Sequence, residues 1–208
     1  MKEYEIRCLI EDKDKDRIVN LISDRCGHLG VERRFTLVHV GRADFVPDPS
    51  RVRDIKIRTD GRTARLTVKL GSWHDAVGRS EFEIELPAEQ FGNAAKVLTA
   101  LGYNYFVQMY TTRHQGADGL VEYSLDVISP SEVNVLEIEL RQPLDDEEEA
   151  LRSLNSVAES LAVVPLTSEG TVAYVSRINA DKASQLDFER VSVDEWLAQS
   201  IDMIKCRK

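Results

Sequence analysis

Cysteine is scarce in this chain and never paired in sequence. Only Cys8, Cys26 and Cys206 occur among 208 residues, far apart and odd in number. Without a C-x-x-C, neither a zinc ribbon nor a disulfide framework is indicated, and a reducing cytoplasm fits best. Long apolar runs are missing too. None approaches the roughly 20 residues of a membrane-spanning helix. The N-terminus is charged from Lys2 and has no signal-peptide core. A cytoplasmic protein with no membrane partner is expected. Positive charge is also short. With 27 Lys and Arg against 36 Asp and Glu, the net charge of −9 has the wrong sign for gripping a nucleic-acid backbone. The patterns G-x-x-x-x-G-K-[ST], G-x-S-x-G and H-E-x-x-H do not occur. His28, His39, His74 and His114 share no ligand spacing and read as structural or surface residues.

What the chain does have is charge at every second residue. Along Lys2 to Ile10, Glu3, Glu5 and Arg7 fall on one face, and Tyr4, Ile6 and Cys8 on the other. Glu is depleted from strands, so the repetition of this pattern is informative. Later strands show it again: Asp54, Lys56 and Arg58 against Ile55 and Ile57; Arg65, Thr67 and Lys69 against Leu66, Val68 and Leu70. Then come Arg79, Glu81, Glu83 and Glu85; Glu122, Ser124 and Asp126; and Glu137, Glu139 and Arg141, each set alternating with apolar residues.

The strands expected are Lys2 to Ile10, Val31 to Val40, Val52 to Thr59, Thr63 to Leu70, Arg79 to Leu86, Tyr103 to His114, Leu120 to Ile128 and Val133 to Arg141. Asp60-Gly61 predicts a tight hairpin with positive φ at both residues. Residues 115–119 predict a turn. Amphipathic spacing predicts helices over Lys13 to Arg25, with Gly27 as its C′ residue, over Ala88 to Leu101 and over Asp146 to Ala162. The acids at 145–149 complement the dipole of that third helix. Thr171 to Ile178 reads as one more short strand and 179–191 as a linker. Ser192 and Glu195 form a capping box opening a last helix, which packs on the domain or on a second copy, making a homodimer a candidate assembly. The division expected is a domain over 1–178, then a linker and an amphipathic helix over 179–208.

Hairpin-joined strands pair antiparallel, and eight of them tend to close because closure removes edges. The helices must bury their stripes on the apolar faces. The fold class expected is therefore α+β, a closed antiparallel eight-stranded barrel with a charged interior and helices outside. A sheet with helices on one face and water on the other gives the same alternation. Against it, acids come as E-x-E and bases as K-x-R. Such carboxylates gather hard divalent cations, and Arg and Lys clamp phosphate oxygens. Without a substrate, unlike charges at this range pair with one another.

Glu3-Tyr4-Glu5-Ile6-Arg7 resembles the E-x-E-x-K signature of the CYTH superfamily, the triphosphate tunnel metalloenzymes. Ile55-Lys56-Ile57-Arg58, Leu66-Thr67-Val68-Lys69, Arg79-Ser80-Glu81-Phe82-Glu83, Leu125-Asp126 and Glu137-Ile138-Glu139 are similar to its later motifs, in order, over roughly residues 1 to 176. The resemblance implies an eight-stranded tunnel that holds a triphosphate-containing small molecule with Mg2+ or Mn2+. It implies metal binding by Glu3, Glu5, Glu137 and Glu139, with Asp126, Glu81 and Glu83 in support. Phosphates would be held by Arg7, Lys56, Arg58, Lys69 and Arg79, and Glu5, Lys69 and Arg58 would be catalytic. The activity implied is hydrolysis of a linear triphosphate: inorganic tripolyphosphate, thiamine triphosphate or a nucleoside triphosphate. A class IV adenylyl cyclase, an RNA 5′-triphosphatase and a non-catalytic polyphosphate or nucleotide binder are the alternatives. The chain departs from the family in three places. Arg7 replaces the Lys of the first motif. Gln108-Met109-Tyr110 stands where a K-x-R is expected, with Arg113 on the opposite face. No Lys occurs around Ser168 to Thr171.

Overall fold

Period-two alternation along the chain becomes one antiparallel sheet. The computed structural model describes residues 2–74, 79–142 and 146–205, without the side chains of 2, 3 and 203. The first segment is β1 (Lys2–Glu3), β2 (Glu5–Ile10), α1 (Lys15–Cys26), β3 (Gly30–His39), β4 (Arg53–Thr59), β5 (Thr63–Leu70) and β6 (Arg79–Pro87). It is followed by α2 (Phe91–Ala100), β7 (Tyr105–Asp118), β8 (Val121–Ser129), β9 (Val133–Leu140) and α3 (Glu147–Ser160). The chain then forms α4 (Ser168–Asn179), β10 (Gln185–Asp187) and α5 (Val193–Ile204).

The strand order is β1-β6-β5-β4-β3-β7-β8-β9-β2, with β10 added against β7. Its two ends, β1 and β2, are one expected strand interrupted at Tyr4, so eight strands curl round toward one another, and only the first two residues of that strand reach β6. The expected closed barrel is corrected here: the sheet is curled but open. Pairing switches at Tyr4, whose carbonyl accepts from the Leu140 N–H at 3.1 Å. The strand is thereby committed to β9, and only Lys2 and Glu3 remain to pair with β6.

Local chemistry accounts for several details. The β4–β5 hairpin forms as expected, but only Gly61 is left-handed, with φ 84°. Asp60 caps the turn instead, its Oδ1 accepting from the Arg62 and Thr63 N–H groups at 2.8 Å each. Strand β7 runs through the expected turn at 115–119 as far as Asp118. Gly116 permits this, because a Cβ there would lie 2.9 Å from Cys26 Sγ and 3.2 Å from the His28 carbonyl. Asp146 caps α3 by accepting from the Glu148 and Glu149 N–H groups.

Two sequence expectations fail after residue 165. Residues 171–178 are not a strand but lie in α4. Their β-branched composition favours a strand, yet Thr171, Tyr174, Val175 and Ile178 are spaced for one helix face, and Thr167 caps the helix by accepting from the Gly170 N–H at 3.1 Å. The expected linker holds β10, whose Gln185, Leu186 and Asp187 pair with Val107, Phe106 and Tyr105. The capping box is present: Glu195 N–H donates to Ser192 Oγ at 3.2 Å, and Ser192 N–H to Glu195 Oε2 at 3.1 Å.

The apolar faces are buried in three clusters. Ile18 and Ile22 of α1 and Leu154 and Ala158 of α3 pack outside β2, β8 and β9, against Ile6, Cys8, Leu125, Leu136 and Ile138. Phe91 and Leu98 of α2 and Trp196 of α5 cover Phe35, Leu37, Ile55 and Ile57. The third cluster is inside the curl, where Val107, Ile128, Val133 and Val135 meet Ile178 of α4 and Phe45. The charged interior expected is thus present over part of the length, with an apolar end beside it. On the outer face of β6, Leu86 packs against the cluster under α2 and α5, while Phe82 and Ile84 are exposed.

Trp196 shows how firmly α5 is attached to this domain. Its ring stacks on Phe35 with centroids 6.1 Å apart and meets Phe188 edge-on at 5.5 Å. Trp196→Ala is expected to lower unfolding free energy by about 3–5 kcal/mol, as for other large aromatic truncations in cores. Urea denaturation checks this; a loss under about 1 kcal/mol would show α5 to be dispensable to the core.

Candidate functional site

The pleat fixes which side chains share the inner face, and the register fixes which of them are neighbours. Between β2 and β9, Glu5 lies opposite Glu139 and Arg7 opposite Glu137. Between β4 and β5, Asp54 lies opposite Lys69 and Arg58 opposite Arg65. Across to β6, Lys69 faces Glu81 and Thr67 faces Glu83. These faces converge on a cavity of about 530 Å3, lined by Arg7, Lys56, Arg58, Lys69, Glu81, Asp126, Glu137 and Glu139 among others. A smaller pocket of about 330 Å3 lies beside Glu5, Arg7, His74 and the first turn of α4.

Inside, the charges form a connected lattice. Arg7 Nε donates to Glu137 Oε1 at 3.2 Å, and its NH2 group bonds Glu5. Arg113 donates to Asp126 Oδ1 at 2.6 Å and Glu137 Oε2 at 2.9 Å. Lys69 Nζ lies 2.7 Å from Glu81 and 4.0 Å from Glu5. Arg79 reaches Glu5 at 3.2 Å and Asp54 at 3.4 Å. Lys56 differs: it has no hydrogen bond or ion pair to any other described residue.

The protonation equilibria follow from burial set against these neighbours. Burial alone would raise Glu137, but Arg113 and Arg7 outweigh it and hold the carboxyl far below its ordinary range. Glu5 is also lowered: burial and Glu137 raise it, but Arg7, Lys69 and Arg79 together outweigh them. Asp126 goes the other way: burial raises it, and Glu137 nearby adds to the effect against Arg113. Burial lowers Lys56, and the Lys69 and Arg58 charges lower it further. The Asp54 and Glu137 charges oppose this only in part.

Most of the residues singled out in the sequence come together. Arg7, Lys56, Arg58, Lys69, Glu81, Asp126, Glu137 and Glu139 line the larger cavity, and Glu5 lines the smaller pocket beside it. Arg79 is 6% exposed beneath Glu5 and Asp54 and does not line the larger cavity. Glu83 is exposed and holds Arg58 at 2.8 Å and Thr67 Oγ1 at 3.1 Å, apart from the other carboxylates. The backbone of Glu3 belongs to β1, but its side chain is outside the described residues.

The phase of β7 is opposite to the one expected for Tyr103 to His114. Gln108 faces outward: its Oε1 accepts from Trp196 Nε1 at 3.1 Å, and its Nε2 donates to the Ala183 carbonyl at 3.0 Å. Met109, Thr111 and Arg113 face the cavity. Arg113 therefore supplies one cation to this wall, where the K-x-R expected would have given two. The signal was available: turning the hairpin at Gly119 and Leu120, where Asp118 pairs with Val121, sets Arg113 opposite Asp126. Glu32 and Arg34 on β3, Arg51, and Tyr174 on α4 were also missed, and all line the cavity.

Among the described residues no three acidic, His or Cys groups converge as a metal cluster. The donor set nevertheless suits a hard divalent ion, because Glu5, Glu137, Glu139 and Asp126 offer only carboxylate oxygens. No described helix is long and apolar enough to cross a membrane.

A family model described as the CYTH domain matches residues 1–168. The chain belongs to the CYTH family. Its fold is similar to that of the PH1012 protein of Pyrococcus horikoshii, at 18% identity and TM-score 0.60, covering 80% of this chain and 98% of that one. A putative adenylate cyclase of Vibrio parahaemolyticus is similar at 14% identity and TM-score 0.53, covering 78% and 90%. The putative adenylyl cyclase HpAC1 of Hippeastrum, which has a dominant triphosphatase activity, is similar at 16% identity and TM-score 0.50, covering 79% and 90%. No curated protein matches the chain. The CYTH domain accounts for the curled sheet, and its match ends at the first residue of α4.

The lattice has a consequence for stability. Glu137 has a folded pKa below its unfolded value of 4.5, so its contribution is fully present above that pH and is lost as pH falls toward the folded value. Urea unfolding of the wild type should show stability declining from about pH 5 to pH 3, with a shallower decline in Glu137→Gln. At pH 7 the variant should be less stable by about 3 kcal/mol, since Arg7 and Arg113 each lose an anion. Equal pH slopes in the two proteins would contradict the assignment.

Proposed function

We propose that this CYTH protein hydrolyses a linear triphosphate with a divalent ion, Mg2+ or Mn2+, in the charged cavity. The observation that carries the reading is Lys56, a cation with no ion pair to any other described residue and with the Lys69 and Arg58 charges close by, in a cavity that also gathers Glu137, Glu139 and Asp126. Arg7, Lys56, Arg58 and Lys69 would bind phosphate oxygens, and Arg113 joins them. Arg79 would hold Glu5 in position rather than touch phosphate, since it lies under Glu5 at 3.2 Å. Glu5, Glu137, Glu139 and Asp126 would hold the metal, with Glu81 nearby. A divalent ion bound there supplies charge neutralisation on the phosphate oxygens and activation of water. Phosphoryl transfer asks little else of the protein than positioning and electrostatics.

The ion-pair lattice sets how ligands enter. Each carboxylate freed from a guanidinium leaves that guanidinium for a phosphate oxygen. Neither half of a pair is well placed alone, so anion and metal should each raise the affinity for the other. A neighbour with dominant triphosphatase activity agrees with hydrolysis. The outward-facing Gln108 and the Arg113 guanidinium at the cavity support the catalytic reading over a non-catalytic binder.

The test is release of phosphate and formation of cyclic AMP from tripolyphosphate, thiamine triphosphate and ATP, with Mg2+ or Mn2+. Phosphate release from at least one is expected. Lys56→Met should cut kcat/KM by about 100-fold, as for removal of a preorganised charge stabiliser. Cyclic AMP as the main product from ATP would favour the cyclase, and no turnover of any substrate would refute the proposal.

A further inference from the structure

Helix α4 contributes one more polar group to the cavity. Thr171, Tyr174, Val175 and Ile178 form its inward face, and Val175 and Ile178 line the cavity with Tyr174. The helix is fixed at both ends. The Leu166 N–H, just before its cap, donates to the Arg7 carbonyl at 2.7 Å. At the other end Asn179 Nδ2 donates to the Phe45 carbonyl at 3.1 Å, and Gln185 Nε2 to the Asn179 carbonyl at 2.7 Å. Tyr174 therefore projects from a held element, the condition for a precise binding group.

The tyrosine joins two environments. Its ring packs on the inner apolar cluster of Val107, Ile128 and Ile178. The phenol acts electrostatically on Arg7, Glu137, Asp126 and Glu5. Phenol hydroxyls in such semi-buried places usually find a partner, but this one has no hydrogen bond to another described residue. We propose that Tyr174 is a ligand-binding residue whose hydroxyl donates a hydrogen bond to a phosphate oxygen of the bound triphosphate beside Arg7.

This inference rests on the triphosphate reading above and assigns it a residue outside the sheet. Burial and the surrounding carboxylates push the phenol above its ordinary pKa, so it remains a neutral donor. Neutrality matters here. Lys56 is already depressed by Lys69 and Arg58, and another cation would add repulsion before the anion arrives. A phenol gives a donor without that cost.

The experiment compares Tyr174→Phe with the wild-type full chain by calorimetric titration of inorganic tripolyphosphate, without added metal, at several salt concentrations. The expected result is about tenfold weaker binding, the scale of a lost hydrogen bond to a charged group. The melting temperature and the salt dependence should be unchanged, because no charge has been removed. Wild-type affinity in the variant overturns the inference, as does a loss accompanied by reduced salt dependence. If the variant melts early, the unaltered protein labelled with 13Cζ-tyrosine decides: the Tyr174 resonance moves on adding tripolyphosphate, or the inference falls. A wild type that hydrolyses tripolyphosphate while Tyr174→Phe binds it equally well overturns the role of Tyr174 alone. A wild type that neither binds nor hydrolyses it overturns both.

Discussion

Charge compensation inside the curled sheet is the constraint from which the rest follows. Seven or more ionised side chains facing one space would repel or remain desolvated unless each found an opposite neighbour. Arg7 and Arg113 solve this by sharing Glu137 from two sides, with Glu5 and Asp126 as their outer partners. The strand order makes it possible. β2 and β9 place Arg7 beside Glu137, and β7 and β8 place Arg113 beside Asp126, so the ladder brings acids and bases from distant sequence into one lattice. Such pairs are weak sources of net stability but strict about geometry, and they hold side chains that a ligand can later recruit.

The apolar side chains do the opposite work. Outside, α1 and α3 cover one part of the sheet and α2 and α5 another, so the hydrophobic faces are withdrawn from water and the charged faces are left inside. Inside, Ile178 and Phe45 close one end with Val107, Ile128, Val133 and Val135. Those side chains offer no polar partner to a phosphate, so under the proposed function an anion would sit on the ion-pair lattice rather than on the inner apolar cluster. Tyr174 stands at the boundary, its ring on the apolar side and its hydroxyl toward the charges.

Much of this was legible because strand periodicity is short and strict. Lys56, Arg58 and Lys69 could be placed on one face by counting twos, and their neighbours Ile55, Ile57 and Val68 on the other. Where the count slipped, the reason was register. In β7 both faces are mixed, so Gln108 and Arg113 could be exchanged between faces without violating any apolar pattern. Only the hairpin at Gly119 and Leu120 fixes the phase. Residues 171–178 defeated the reading differently. Their β-branched residues carry a strand preference, and a cap at Thr167 with burial of Ile178 overrides it.

The amino-acid order by itself determined which faces of most strands are charged and where most strands lie. These are local properties, set by two-residue alternation and by caps and turns within a few residues. Only the tertiary structure decided that pairing passes from β6 to β9 at Tyr4 and leaves the sheet open, that α4 rather than a strand enters the interior, that Gln108 serves Trp196 and that Arg113 serves the cavity. Each of those depends on contacts between residues far apart in the chain, where the competing local preferences are nearly equal and packing breaks the tie.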